Sequence, residues 1–282
     1  MSNVTPQLIK ELRELTGVGM GKCKVALEEA QGDLEKAIEN LRKAGMASAV
    51  KKEGREANEG LIAIGESDKA VALVEVNSET DFVAQNEKFK NFLKEVADEA
   101  AETEPASLEA LLSQKSKSDP SITIDEYRAL TVQSLGENIQ VKRMKVLAKS
   151  SDVSVGVYSH MGGKIVTAVV MTGGSGNEAL ARDIAMHVAA EAPEYLAPAD
   201  VPEEINERER DIGRSQVTGK PENIIEKIVE GKVRAFYDQF CLLNQKYIKD
   251  NSVNIAAFLE KESKAAGKTL SVQSFLRWQI GE

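Results

Sequence analysis

The chain has 282 residues, of which 42 % are hydrophobic, and a formal net charge of −9 at pH 7. That length is enough for two or three small domains, and the acidic balance excludes the broad basic surface with which proteins bind nucleic acid. Aromatic residues make up only 5 % of the chain, which leaves few side chains on which single-stranded bases could stack. These properties favour a protein or a small molecule as the partner and predict no direct contact with nucleic acid.

The cysteines and the chain start point to a reducing compartment. Cys23 and Cys241 are the only cysteines, and their spacing fits neither a disulfide framework nor a zinc ribbon. Residues 1–6 lack the charged-then-apolar pattern of a secretory signal. The longest apolar runs, such as residues 70–74, have the length of a strand and are too short to span a bilayer. We therefore expect a cytoplasmic location and no membrane contact.

The first 46 residues predict a small domain of three helices. The first helix follows Thr5 as N-cap and ends at Gly17, and a second runs over about residues 20–30. Asp33 caps the third helix, and Gly45 is predicted to end it. Three helices of this size form a bundle of marginal stability. We therefore expect the domain either to bind a partner or to serve as a stabilising cap on the core.

A pattern of two strands followed by one helix occurs twice after a charged linker at residues 47–58. The predicted strands and helices of the two copies are 60–64, 70–76 and 86–101, and then 153–159, 165–171 and 177–192. Such a repeat is typical of two related α+β halves in which a helix covers one face of each antiparallel sheet. The identity between the two copies is weak, so the prediction is a structural repeat.

The remaining segments complete a prediction of the domains. A helix at 124–135 and a strand at 139–147 join the two halves, and a helix at 253–266 and a strand at 269–280 end the chain. A polar helix from about residue 203 and an amphipathic return helix predict a protruding antiparallel hairpin. The predicted divisions are a three-helix domain at 1–46, a linker at 47–58, an N-subdomain at 59–138, a C-subdomain at 139–200 and 241–282, and a hairpin insertion at 201–240.

Residue patterns typical of enzymes are missing from the sequence. It contains neither a GxxxxGK[ST] phosphate loop nor a GxSxG elbow, and residues 173–176 are better explained as a strand-to-helix turn than as a phosphate cradle. The only histidines are His160, which is expected at an accessible hairpin turn, and His187, which is expected as a hydrogen-bonded residue in a largely apolar helix. An enzyme that uses these histidines and an RNA-binding accessory protein remain the alternatives, and no metal or cofactor is predicted.

Thr80, Asp81, Phe82 and Val83 form the segment that is hardest to explain by structure alone. They follow a well-formed strand and place a large aromatic residue in a polar connection before the next helix. Such a residue either inserts into a partner or packs under its own helix with Asp81 as the N-cap. The pattern alone leaves both alternatives open.

Several sequence blocks resemble the elongation factor Ts family. They occur in the order typical of the family and are spread over nearly the whole chain: Leu12–Met20 with Cys23–Lys24, Asp33 with Ala37–Arg42, Thr80–Ala84, Gly136–Ile139, and Ala185–Ala190. The last predicted strand ends close to Glu282, so the resemblance is to bacterial-type members that lack the extra C-terminal helical module.

The resemblance implies an α+β fold with an N-terminal ubiquitin-associated-like three-helix domain, a core of two related α+β subdomains with antiparallel sheets, and an inserted antiparallel helical hairpin. It also implies a function: a guanine nucleotide exchange factor that binds elongation factor Tu and performs no covalent chemistry. The family's signature maps onto Thr80, Asp81, Phe82 and Val83, which are expected to disturb the magnesium and phosphate contacts of that GTPase.

Further partner contacts implied by the resemblance are Lys24, Leu135, Gly136, His160 and Ile248. The sequence departs from the family near two of them. Gly21, Lys22 and Val25 replace the usual Met, Asp and Lys around Lys24, and Lys249 stands beside Ile248 where an apolar residue is common. Whether the chain forms a homodimer or a 2:2 complex with its partner is left open by the sequence.

Overall fold

The computed structural model describes residues 4–217 and 219–282. The chain divides into two compact units. Residues up to Ala148 form the first unit together with Met161–Lys164 and Gln279–Glu282, and the second unit consists of Lys149–His160 and Ile165–Trp278.

The first unit combines a helical N-terminal part with a three-stranded antiparallel sheet of order β1-β2-β3. Its elements are α1 (Pro6–Thr16), α2 (Met20–Glu29), α3 (Leu34–Lys52), β1 (Glu59–Glu66), β2 (Ala70–Ser78), α4 (Asp81–Ala84), α5 (Glu87–Thr103), α6 (Leu108–Ser113), α7 (Ile124–Leu135) and β3 (Ile139–Ala148). The core of this unit lies between the sheet and the helices α5 and α7, and Phe89 and Phe92 are its largest fully buried side chains.

Three helices begin the chain, as predicted. The Thr5 side chain accepts a hydrogen bond from Leu8 N at the start of α1, and Asp33 accepts one from Lys36 N at the start of α3. Leu12 and Leu27 are fully buried at the centre of a small separate core that these helices share.

The prediction that Gly45 ends the third helix is wrong, because α3 continues to Lys52 and takes up half of the predicted linker. Gly45 is buried and faces α7, where a Cβ atom in its place would lie 3.5 Å from the carbonyl oxygen of Ala129. Gly45 is thus an interior residue of α3 in contact with α7, and a glycine in the sequence does not by itself mark the end of a helix.

The pairing of β3 corrects the predicted division at residues 138 and 139. That division placed the strand in the second half, whereas β3 pairs with β2 from Ala70 opposite Ala148 to Ser78 opposite Ile139. The strand completes the first sheet because the second edge of β2 needs a partner for its backbone groups. The apolar pattern of a strand does not identify which edge it will join.

The second unit repeats the arrangement of a hairpin and a covering helix around a sheet of order β4-β5-β8. Its elements are β4 (Val153–His160), β5 (Ile165–Thr172), α8 (Glu178–Glu191), α9 (Glu203–Ser215), α10 (Glu222–Phe240), β6 (Lys246–Tyr247), β7 (Asp250–Asn254), α11 (Ile255–Ala266) and β8 (Ser271–Gln279). The last strand returns to a sheet of the core, as predicted from the sequence.

The predicted helical hairpin is formed by α9 and α10. Tyr237 Oη donates a hydrogen bond to Asn206 Oδ1 at 2.8 Å near the base of the hairpin, and Arg214 pairs with Glu226 towards its tip. From the first contact to the second, the residue numbers rise along α9 and fall along α10, so the two helices are antiparallel. The buried residue Gly213 lies against Val229 in the contact between the two helices.

Candidate functional site

The segment from Thr80 to Val83 forms a single helical turn at the end of β2. Thr80 has extended backbone angles, and its hydroxyl oxygen accepts a hydrogen bond from Val83 N at 3.3 Å. Thr80 is therefore the N-cap of α4. One of the two alternatives left open by the sequence had placed Asp81 at the N-cap. A second cap follows at once, because Asn86 Oδ1 accepts from Lys88 N and begins α5.

Phe82 points away from the protein. Its exposed fraction is 84 %, whereas Val83 is half-buried against the first core and Ala84 is fully buried. The alternative in which Phe82 packs under its own helix is wrong, because Val83 and Ala84 occupy the inward positions of the turn. Asp81 is also exposed, and no hydrogen bond to its carboxylate occurs among the described residues. The turn thus presents one large apolar and one acidic side chain side by side.

Glu137 holds this turn in place. Its Oε2 accepts a hydrogen bond from Thr80 N at 3.0 Å, and its Oε1 accepts one from the Thr80 hydroxyl at 2.7 Å. A matching bond runs the other way, from Asn138 N to Glu79 Oε1 at 2.6 Å, and Arg55 pairs with the same Glu79 oxygen. Sequence reasoning did not assign a role to Glu137, although it lies within the block Gly136–Ile139.

Leu135 and Gly136 are brought to the same place by the end of α7. Leu135 is the last residue of α7 and is half-buried against the core, and Gly136 is exposed with a φ of +86°. This left-handed conformation, which glycine adopts easily, lets the chain leave the helix and aim Glu137 at Thr80. The structure therefore brings three expected contact regions together: the turn, Leu135 and Gly136.

Lys24 lies on α2 of the three-helix part. Its side chain is 59 % exposed and lies 3.7 Å from the Glu28 carboxylate, a surface pair of small energetic value. Its neighbour Lys22 donates a hydrogen bond to the carbonyl oxygen of Gln133 at 3.0 Å, which joins α2 to the C-terminal end of α7. The exposed Lys24 thus stands on a helix that is fastened to the same end of α7 as the turn.

His160 and Ile248 belong to the second unit. His160 is exposed at the end of β4, and its Nδ1 lies 3.2 Å from Tyr158 Oη. Ile248 is half-buried in the turn between β6 and β7, and next to it Lys249 pairs with Asp183 at 2.7 Å. The prediction of an accessible His160 is confirmed.

His187 is fully buried, which confirms the prediction of a core histidine. Its Nδ1 accepts a hydrogen bond from Ile248 N at 3.4 Å, and its Nε2 lies 3.0 Å from Gln245 Oε1. The ring is therefore neutral with the proton on Nε2, and burial lowers the pKa of His187 below its usual value. Both ring nitrogens are hydrogen-bonded within the second unit, so His187 offers no free base for chemistry.

Two properties of the described residues bear on other classes of function. Among residues 4–217 and 219–282, no three His, Cys, Asp or Glu side chains are grouped so that they could hold a metal ion. Within the same described part of the chain, none of the helices has the combination of length and hydrophobicity that crossing a membrane requires.

Comparisons with known proteins agree on one family. The family model described as "Elongation factor TS" matches residues 79–282. The chain is 60 % identical over 282 residues to elongation factor Ts of Protochlamydia amoebophila (strain UWE25), with both chains covered completely. It is 46 % identical over 281 residues to the protein of the same name from Chlamydia trachomatis serovar L2 and 45 % identical to that of Chlamydia muridarum, again over the full length of both chains. The chain belongs to the elongation factor Ts family.

Proposed function

We propose that this chain is a guanine nucleotide exchange factor of translation elongation, which binds elongation factor Tu in its GDP-bound and nucleotide-free states and promotes the release of GDP. Membership of the elongation factor Ts family supports this role. The observation that carries the mechanism is the exposure of Phe82 on a turn whose backbone is fixed. No covalent step is needed, and the cytoplasm is the proposed location because translation elongation takes place there.

Exchange by this route is a matter of thermodynamic linkage. If binding of the chain weakens the affinity of the GTPase for GDP, GDP must weaken the affinity for the chain by the same factor. The chain must therefore bind best to a conformation of the GTPase in which magnesium and phosphate are poorly coordinated. Asp81 and Phe82 are the residues that we assign to this discrimination.

The chemistry of the two side chains suggests how they divide the work. Burying Phe82 in the partner supplies about 2 to 3 kcal/mol of apolar stabilisation to the conformation that receives it. Because about 1.4 kcal/mol corresponds to a factor of ten, this amounts to about 30- to 150-fold in affinity or rate. The Asp81 carboxylate has no partner among the described residues and is free to compete with the phosphate and protein oxygens that surround a magnesium ion.

The remaining contacts are proposed to share the binding energy. In the first unit these are Lys24, Leu135 and Gly136, which lie on or next to helices joined at the end of α7. In the second unit they are His160, which is exposed, and Ile248, which is half-buried. We further propose that the three-helix domain at 1–46 is a partner-binding module with a ubiquitin-associated-like fold.

Release of a fluorescent GDP analogue from elongation factor Tu tests the proposal directly. The chain is mixed with the loaded GTPase and excess unlabelled GDP, and fluorescence is followed in a stopped-flow instrument. We expect the wild-type chain to accelerate release and Phe82→Ala to lower the accelerated rate about 30-fold or more. Val50→Ala is the matched control, because Val50 is also a highly exposed apolar residue, on α3, and has no assigned role.

Each outcome has a separate meaning. A wild-type chain that leaves the release rate unchanged would contradict the exchange function itself. A Phe82→Ala variant that matches the wild type would contradict the role of Phe82 alone. Binding titrations provide an independent check, since added GDP must weaken the complex of the chain with the GTPase by the factor by which the chain weakens GDP binding.

A further inference from the structure

We propose that Glu137 is a positioning residue for nucleotide release: its carboxylate holds the Thr80–Val83 turn in the conformation that presents Phe82. The inference rests on the proposed exchange function and adds to it a residue that acts through another. Glu137 follows Gly136 at the end of α7, is separated from Thr80 by 57 positions in the sequence, and meets it through both carboxylate oxygens.

The hydrogen bonds at Thr80 show why one carboxylate can control the turn. The Thr80 hydroxyl donates to Glu137 and accepts from Val83 N, so Glu137 fixes the direction of the cap. The amide of Thr80 donates to the other oxygen of Glu137, and its carbonyl accepts from the Ser78 hydroxyl and from Ala84 N. Every polar atom of Thr80 is thereby engaged, and the two bonds to Glu137 are the ones that reach a distant part of the chain.

The turn needs such external support because it is very short. A helix of four residues cannot recover the entropic cost of forming its first turn from its own hydrogen bonds. Phe82 contributes little to the folded state, since most of its side chain lies outside the protein. A fixed backbone lowers the entropy lost when Phe82 enters a partner, so the positioning acts on the release step.

The reciprocal bond from Asn138 N to Glu79 is expected to keep the two segments together when Glu137 is changed. Asn138 also donates from its side chain to the carbonyl oxygens of Glu53 and Arg55, which ties this segment to the end of α3. Loss of the Glu137 carboxylate should therefore loosen the turn and leave the fold intact.

The test measures release of fluorescent GDP at saturating concentrations of the full-length chain. We expect Glu137→Ala to lower the maximal release rate about tenfold, the loss that corresponds to removing a hydrogen bond to a charged group. Glu137→Gln keeps a carbonyl oxygen for Thr80 N and should recover a large part of the rate. Glu126→Ala is the matched control, because Glu126 accepts a hydrogen bond from Thr123 N at 2.7 Å at the opposite end of α7.

A double variant separates positioning from direct contact. If Glu137 acts mainly by presenting Phe82, then adding Glu137→Ala to Phe82→Ala lowers the release rate by much less than Glu137→Ala does in the wild-type chain. Multiplicative effects of the two substitutions, or a wild-type rate in Glu137→Ala, would overturn the inference.

Hydrogen exchange of the isolated chain distinguishes failure of the inference about Glu137 from failure of the proposed exchange function. The amides of Val83 and Ala84 should exchange at least about tenfold faster in Glu137→Ala than in the wild type or in Glu126→Ala. If hydrogen exchange of these amides is faster in Glu137→Ala but the wild-type chain does not accelerate GDP release, the proposed nucleotide exchange function is contradicted. The positioning of the turn by Glu137 is then still supported. Unchanged hydrogen exchange of these amides would contradict the positioning of the turn by Glu137.

Discussion

The two strand-to-helix connections of the core occupy the same place in their units and differ in what they present. In the first unit, residues 79–86 join β2 to α5 and fold into the turn that exposes Phe82. In the second unit, residues 173–177 join β5 to α8 and carry three glycines. Gly173 packs so tightly that a Cβ atom there would overlap the carbonyl oxygen of Thr269.

This difference separates what the repeated architecture provides from what is particular to the first connection. In both units a hairpin followed by a helix requires a connection from the second strand to the helix. The second connection shows that five residues are enough for it. The first connection is longer, and its extra turn is stabilised by Thr80 as a cap and by Glu137 from α7. Exposure of Phe82 is therefore a property of this connection and of its distant support.

The largest expected effect tests what the two units share. In each unit the covering helix touches a glycine of the first strand: a Cβ atom on Gly65 would overlap Ala97 of α5, and one on Gly156 would overlap Arg182 of α8. We expect Gly65→Ala and Gly156→Ala each to lower the free energy of unfolding by about 3 kcal/mol, since helix and sheet must move apart. Urea denaturation followed by circular dichroism measures this loss.

Gly231→Ala is the control for these two substitutions. Gly231 lies within α10, and a Cβ atom there meets no other side chain or element within 4 Å, so the alanine should stabilise the helix by up to about 1 kcal/mol. Wild-type stability in both Gly65→Ala and Gly156→Ala would contradict direct contact between helix and strand in the repeat.

The next effect concerns His187, the buried histidine of the second unit. Burial lowers the pKa of His187 in the folded protein, so the unfolded chain binds more protons below its own pKa of about 6.5. Stability is therefore complete above that pH and falls as the pH decreases below it. The hydrogen bond to Gln245 and the nearby Glu191 carboxylate offset part of this loss, because both favour the charged ring.

Urea denaturation at pH 7.5 and 5.5 checks the role of His187. The variant His187→Gln keeps a side chain that can form hydrogen bonds with Gln245 and the backbone but cannot titrate. It should lose less stability than the wild type on acidification. Equal losses in both proteins would show that other groups cause the acid sensitivity.

Local sequence signals predicted most elements well, because they depend on neighbouring residues. Thr5 and Asp33 begin helices as caps, and α7 begins with a reciprocal pair of hydrogen bonds between Thr123 and Glu126. Gly45 misled the prediction because it lies inside α3 and packs against α7, which is distant in sequence. The pairing of β3 with β2 was missed for the same reason, since the choice of partner is a tertiary property.

The candidate site was predictable only in part. The segment Thr80–Val83 is conspicuous in the sequence, yet Phe82, Val83 and Ala84 form an apolar run in which only Phe82 faces solvent. The direction of each side chain is set by the cap at Thr80, and the cap is fixed by Glu137 across 57 positions. No periodicity in the sequence can reveal a pair of this kind.

The smallest expected effect on stability concerns the N-caps of α5 and α8, the helices that follow the two connections. Asn86 Oδ1 accepts from Lys88 N at the start of α5, whereas the Asn177 side chain forms no such bond at the start of α8 and donates instead to Gly174 O. Asn86→Ala should lower the free energy of unfolding by about 1 kcal/mol, the usual cost of losing a cap. Asn177→Ala should cost about half as much, the lower end for one hydrogen bond.

Measurement of GDP release by the same two variants completes the comparison. The turn is held through Thr80 and Glu137, and the cap of α5 lies after it. The Asn86→Ala variant should therefore promote GDP release from the GTPase at close to the wild-type rate despite its lower stability. A loss as large as that expected for Glu137→Ala would mean that the start of α5 positions Phe82 as strongly as the carboxylate does. The support of the turn would then be local, and the contrast between the two connections would depend on their own sequences more than on α7.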